Sequence, residues 1–303
     1  MLFRSLTLSI IPRMIFRSLL ATLLLLSLAP ASLSAAPLEV WTSVVPLKHF
    51  IEQIGGTEVN ARAIIRAGQN PHNYNPPPSQ IQQLSSAALY FKSSSEFDRG
   101  WVGRIQATNP TLQMVDILQG FDPEPTHHHS EESHEERHEE GHGEEDPHLW
   151  TSPLMARKIA FNIYQNLSTV DPDHQAYYQR NYQSFDTDLE ALHHEIEQLL
   201  KPIHSRSFMV FHPVWGYFAE TYGLTQITIE MEGKSPGARS LANKIKQAKS
   251  AGLKVIFVQP QFNQRAAQQV ASAIGGRVHS VDPLAADYTH NLRQFALQLA
   301  RQP

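Results

Sequence analysis

Two α/β lobes, each a mainly parallel sheet flanked by helices and joined by one long rigid helix, form the fold class this chain predicts. Three observations carry that reading. Short apolar runs alternate with amphipathic segments from residue 38 onward, the same grammar recurs after residue 206, and one long amphipathic stretch separates the two. Strand and helix repeating at this spacing build βαβ units, whose strands lie parallel.

The elements follow in order. Leu38 to Val44 reads as a strand, and Pro46 to Ile54 as a helix closed by Gly55-Gly56. Val59 to Ile65 is a second strand, Ser79 to Ser86 helical, Ala87 to Phe91 extended, Phe97 to Ala107 helical and Thr111 to Val115 extended. Pro153 to Leu167 is a helix, broken at Pro172. His174 to Leu200 carries an apolar stripe at Tyr178, Tyr182, Phe185, Leu189, Leu192, Ile196 and Leu199, spaced by three and four as on one helix face. At about 1.5 Å per residue it would run roughly 40 Å, the height of two lobes.

The second half repeats the first. Ser207 to Phe211 is a strand, Val214 to Tyr222 a helix and Thr225 to Glu230 a strand. Leu241 to Ala251 is a helix stopped by Gly252, and Lys254 to Val258 a strand. Asn263 to Ile274 is a helix stopped by Gly275-Gly276, Val278 to Val281 a strand and Asn291 to Arg301 a terminal helix. The domain boundaries expected are therefore 37–172 for the N-terminal lobe, 173–201 for the linking helix and 207–303 for the C-terminal lobe.

Residues 1–35 stand apart. Arg4, Arg13 and Arg17 precede the apolar run Leu19 to Leu28, and small residues follow through Ala36, the order of a secretory signal peptide. The run is short for a membrane span. Met14 also begins a complete signal. Export to the periplasm is expected, and a chain with no cysteine carries no disulfide, no thiolate metal site and no lipid on an N-terminal cysteine. Losing the segment's three arginines would leave 22 basic against 29 acidic residues, a formal charge of −7, the wrong sign for a nucleic-acid partner.

Between the lobe patterns, the tract 122–146 holds six histidines (His127, His128, His129, His134, His138 and His142) and eleven carboxylates against one arginine. It has no apolar periodicity, so burial cannot offset its ordering entropy, and disorder without metal is expected. Imidazole is a common transition-metal ligand, so the tract reads as a secondary, low-affinity metal collector. A merely solvated acidic linker is the plainer alternative.

Four other residues share one placement, at or just past strand ends or beside an ordered segment. They are His72 in the turn after the second strand, His148 in Asp146-Pro147-His148, His212 after Phe208 to Phe211, and Asp282 after Val278 to Val281. Open α/β sheets collect ligands at the carboxyl ends of their strands. Two come from each half, so they converge only in a cleft between lobes. Three imidazoles and a carboxylate suit four-coordinate zinc, with Zn–N about 2.0–2.1 Å. Each has a bland reading as well: a loop histidine, the end of the polar tract, a helix cap, a turn starter.

These segments resemble a known family. Gly68-Gln69-Asn70-Pro71-His72-Asn73-Tyr74, Asp146-Pro147-His148-Leu149-Trp150-Thr151-Ser152-Pro153, His212-Pro213-Val214-Trp215-Gly216-Tyr217-Phe218 and Asp282-Pro283-Leu284 are similar, in order, to motifs of the metal-binding solute receptors of bacterial ABC importers, in particular the zinc branch with a histidine-rich loop. The resemblance spans Leu38 to Gln302. It implies two lobes bridged by a rigid helix and His72, His148 and His212 as ligands of Zn2+, the transported cargo. It also implies delivery to an ABC permease in the inner membrane, with a periplasmic zinc chaperone as a further candidate partner. A monomer is expected.

Some members carry a glutamate directly before the first histidine; here that residue is Pro71, which leaves Asp282 or a water as fourth donor. Some zinc members also have a disulfide in the second lobe, which this chain cannot make. The manganese branch has a carboxylate where His212 stands, so three imidazoles point to zinc and leave nickel open. The rival classes are a receptor for another divalent metal and a secreted zinc hydrolase using Glu230 or Glu232 as base, unless these pair with Arg239 or Lys234. A surface adhesin is a third reading, poorly suited to an exported chain without a lipid anchor. No His-Glu-x-x-His helix is present, and the chain is expected not to be an enzyme.

Overall fold

The structure is a computed structural model and describes residues 36–117, 119, 146–230 and 236–302. The signal-like segment 1–35, the six tract histidines, Glu232 and Lys234 lie outside the described residues.

Eight strands among the described residues form two sheets of identical plan. The first holds β1 (Leu38–Thr42), β2 (Val59–Ala63), β3 (Leu89–Lys92) and β4 (Gln113–Asp116) in the order β2-β1-β3-β4. The second holds β5 (Ser207–Val210), β6 (Thr225–Thr228), β7 (Val255–Val258) and β8 (Arg277–Ser280) in the order β6-β5-β7-β8. Every pairing is parallel, with Val40 opposite both Ala61 and Leu89, and Met209 opposite both Ile227 and Ile256. In each sheet the chain steps to one side of its first strand and then to the other. That reversal opens a crevice at the carboxyl ends of β1 and β3, and of β5 and β7.

Nine helices among the described residues connect and flank these sheets: α1 (Val45–Gly55), α2 (Pro78–Gln82), α3 (Glu96–Thr108), α4 (Pro153–Val170), α5 (Gln175–Leu200), α6 (Gly216–Thr221), α7 (Ala238–Ser250), α8 (Arg265–Ala273) and α9 (Tyr288–Ala300). The linking helix starts one residue later than its periodicity predicts, because Pro172 opens a 3-10 turn, Pro172–His174. The helix expected from Val214 shrinks to Gly216–Thr221, and the Trp215 N–H is taken by Gln226 Oε1 at 2.8 Å. The terminal helix begins earlier, at Tyr288, where the Asp287 carboxylate accepts from the His290 N–H and caps it.

Alternation in the second sheet explains its burial on both faces. Phe208 and Val210 of β5, with Val255 and Phe257 of β7, enter one apolar cluster, while Met209 and Ile256 enter another under α7 and α8. Side chains two apart on a strand share a face, so a continuous apolar run fills two cores. The first cluster does not stop at the lobe boundary. It runs from Val40 and Phe50 through Tyr178, Phe185 and Leu192 of α5 to Trp215 and Phe295. Helix α5 packs along α4 and meets α1 on one side and α9 on the other. The bridge is therefore a helix pair embedded in a shared core. Gly56, at φ +52°, ends α1 where a Cβ would meet the Tyr177 hydroxyl, so only glycine fits. No helix among the described residues is long and apolar enough to cross a membrane.

Candidate metal centre

The crevice of the second sheet supplies the most rigid part of the site. His212 follows β5, and Gln259 follows β7 across the crevice. The Gln259 amide grips the His212 backbone at both ends, donating to its carbonyl at 2.9 Å and accepting from its N–H at 3.4 Å. Phe262 stacks on the imidazole with centroids 4.7 Å apart. Behind the ring, Nδ1–H donates to Glu230 Oε1 at 2.5 Å, and that carboxylate side chain is 2% exposed. Burial pushes the His212 pKa below its ordinary value, with Glu230 acting against that shift. The ring stays neutral and turns Nε2 outward.

His148 arrives from a short strap, residues 146–152, ahead of α4. Asp146 Oδ1 accepts from both the His148 backbone N–H (2.9 Å) and its Nδ1–H (2.6 Å). The strap leads into a first-lobe helix, yet second-lobe groups hold it. Trp150 Nε1–H donates to the Pro283 carbonyl, the Tyr288 hydroxyl to the Trp150 carbonyl, and the Tyr217 hydroxyl to the Asp146 carbonyl. His72 comes from the turn between β2 and α2, where Asn70 Oδ1 accepts from its backbone N–H. Its Nδ1–H donates to Glu96 Oε2 at 3.1 Å.

Among the described residues, the crevice at the ends of β1 and β3 holds no histidine. Ser43 after β1 and Ser93 after β3 both donate to the buried Asp98 carboxylate, joined by the Tyr90 hydroxyl and the Ser93 backbone N–H. This satisfied network pins the first turn of α3, and with it Glu96, over the His72 turn.

The structure brings His72, His148 and His212 together: one nitrogen from each lies within 4.8 Å of the others. The Nε2 atoms of His72 and His212 are 2.9 Å apart. Two imidazole nitrogens on a tetrahedral zinc sit about 3.3–3.4 Å apart at ordinary bond lengths, so a cation needs only a small spreading here. Three imidazoles, each braced through its far nitrogen by a carboxylate, are the donor set of a zinc site. Asp282 is not within that group. Its Oδ1 accepts from Gln261 Nε2 (2.7 Å) and the Leu284 N–H (2.9 Å), which shapes the turn after β8. Glu230, a candidate base on sequence grounds, stands behind His212 and does not line the cleft. The bracing roles of Glu96 and Asp146, the Gln259 clamp and the Phe262 stack escaped sequence reasoning; only Asp146, two residues from its histidine, left a local signal.

A two-lobed α/β body with a cleft of convergent imidazoles defines a metal-binding solute receptor. The chain belongs to the family described as zinc-uptake complex component A, periplasmic, which it matches over residues 40–302. It is 30% identical over 261 residues to the high-affinity zinc uptake system protein ZnuA of Bacillus subtilis strain 168, covering 82% of this chain and 78% of that protein. It is 26% identical over 258 residues to the zinc-binding lipoprotein AdcA of Streptococcus pneumoniae, covering 82% of this chain but only 50% of that longer protein. A crystal structure of ZnuA superimposes with a TM-score of 0.81 at 34% identity, covering 88% of this chain and 99% of that one.

Proposed function

We propose that this protein is a receptor that captures Zn2+ with high affinity outside the cytoplasmic membrane and hands it to an ABC permease. The observation that carries the reading is the set of three imidazoles, His72, His148 and His212, each fixed through Nδ1 by its own carboxylate. Such bracing sets tautomer and aim before metal arrives, which lowers the ordering cost of binding. The fourth place goes to an exchangeable donor, with water favoured over Asp282. Asp282 is not among the three converging donors, and its Oδ1 is held by the Gln261 amide and the Leu284 N–H.

Isothermal titration with zinc is expected to show one tight site per chain, and His72→Ala to weaken it by at least about a hundredfold, the scale of a lost ligand bond beyond a lost brace. Unchanged tight binding in that variant would refute the assignment. Nickel and manganese titrated in parallel are expected to bind more weakly.

The finer parts of the proposal rest on the sequence. Residues 1–35 act as a cleaved signal, and the mature chain, lacking cysteine, is free of a lipid anchor. The mature protein works as a monomer, with a periplasmic zinc chaperone as a candidate donor of metal. It acts as a receptor and not as a hydrolase; Glu230, one of the two candidate bases, accepts from the His212 Nδ1–H and does not line the cleft. The tract histidines collect zinc weakly. Deleting residues 126–145 is expected to abolish extra weak zinc equivalents and spare the tight site. Loss of the tight site would overturn the collector role.

A further inference from the structure

Residues 236–281 carry seven lysines and arginines and no carboxylate, although the mature chain is acidic overall. Six of the seven, Arg239, Lys246, Lys249, Lys254, Arg265 and Arg277, are exposed. On α7, Leu241, Ile245 and Ala248 turn inward to the second apolar cluster. Arg239, Lys246 and Lys249, at i, i+7 and i+10, share the outer face. Lys254 stands just before β7 and Arg277 opens β8, joined by the Arg277 N–H donating to the Lys254 carbonyl at 2.8 Å. The charge therefore runs down one flank of the second lobe. It begins where α7 and α8 start, at the cleft end, and reaches the amino ends of β7 and β8 at the far end.

Among the described residues none of these six forms an ion pair, and the Lys254 ammonium donates only to the Ile274 carbonyl. The acids that border the stretch are engaged elsewhere. Glu230 is buried behind His212, and Asp282 Oδ1 accepts from Gln261 and Leu284. The cations near the amino ends of β7 and β8 do not suit a permease contact, because metal in the cleft sits at the carboxyl ends of the strands.

The opposite charge is concentrated in one segment. Residues 122–145 hold ten carboxylates against Arg137, while residues 36–121 and 146–303 together hold 21 basic against 19 acidic residues. A free polyanion meets the negative balance of the whole chain, whereas the tract is tethered, at an effective concentration of about a millimolar. The chain leaves and rejoins the described body at fixed points. The Gln119 carbonyl accepts from Asn162 of α4, and the Asp146 carbonyl from the Tyr217 hydroxyl of α6. A segment of this length spans at most about 80 Å, against about 20 Å for the length of α7.

We propose that the basic flank of the second lobe is the docking face of the chain's own acidic tract, residues 122–145. Tract carboxylates pair with the outer face of α7 and with Lys254 and Arg277 beyond it. Each exposed ion pair is weak, so the contact holds through their number and the tether and is lost in high salt. The docking stands whether or not the tract also binds zinc.

The test uses the mature full chain, as an equal mixture of unlabelled and 15N-labelled protein, treated with a zero-length carbodiimide and read by mass spectrometry. Crosslinks from tract carboxylates to Lys246, Lys249 or Lys254 are expected within single chains at low salt, and are expected to vanish near about 1 M NaCl. Cleavage of the tract by a glutamate-specific protease supplies a second readout. The double variant Lys246→Gln, Lys249→Gln should be cut about fivefold faster, the scale of two exposed pairs, and Lys246→Arg, Lys249→Arg at the parent rate. Both variants should keep the parent's melting midpoint and tight zinc binding. Absence of crosslinks to these lysines, crosslinks only between differently labelled chains, or unchanged cleavage of the glutamine variant would overturn the proposal. The second of these outcomes would assign the face to another copy of the chain.

Discussion

His212 shows what a carboxylate behind a ligand contributes. The imidazole is 7% exposed and its Glu230 partner 2%, so neither can exchange its partner for water. Glu230→Gln keeps the volume and leaves an oxygen to accept from Nδ1–H, but removes the charge that strengthens the ring as a donor. Zinc affinity is expected to fall about 10–100-fold, read by competition against a chromophoric chelator. An affinity equal to the parent's would mean that Glu230 serves packing alone. The same pairing marks the limit of what residues disclose in sequence. His72, His148 and His212 stand out because short motifs set each at the end of an apolar run. Glu230 lies 18 residues from its histidine and Glu96 lies 24 from His72, and only the folded crevice joins them.

At the level of elements, strands were the most legible, since parallel strands buried on both faces write themselves as unbroken apolar runs such as Val255 to Val258. Helix ends were less so, because caps and tertiary bonds decide them, as at Trp215 and Asp287. The junction of α1, α5 and α9 carries a feature no period reveals. His49 of α1 stacks on Tyr288 of α9 (6.3 Å) and meets Phe185 of α5 edge-on (6.0 Å). Burial holds its pKa below the ordinary 6.5, with Glu52 and Asp287 raising it and Lys48 lowering it. The folded protein then binds fewer protons here than the unfolded chain. His49 thus contributes stability that is full above about pH 6.5 and is lost as pH falls through the folded value. The urea midpoint of the metal-free protein should drop as pH is lowered from 7 to 5, with His193 and His212, also lowered by burial, adding to the fall. His49→Gln should make the drop shallower. An identical pH profile in that variant would remove His49 from the account.

For the molecule as a whole, the repeated grammar of the two halves made the two sheets readable, while their union was not. A pattern of two sheets joined by a rigid helix argues for small lobe movement, but it does not say whether the halves share a core. The apolar cluster passes without interruption from Phe50 through Phe185 and Leu192 to Trp215 and Phe295, and Phe295 is stacked at 3.9 Å on Trp215. Opening a hinge would expose this shared surface at about 25 cal/mol per Å2, so large lobe rotation is opposed by the same packing that holds the bridge. The strap bearing His148 is tied to the second lobe at Pro283, Tyr288 and Tyr217, which leaves His72, whose side chain is 30% exposed, on the most exposed approach to the metal. Exchange of metal then calls for movement of one turn rather than of a lobe. Lobes sharing a core should also melt as one. Calorimetry of the metal-free protein is expected to give a single transition whose van't Hoff and calorimetric enthalpies agree, displaced upward by zinc through mass action. Two resolved transitions, with zinc shifting only one, would show that the continuous cluster does not couple the halves and would return the hinge to consideration.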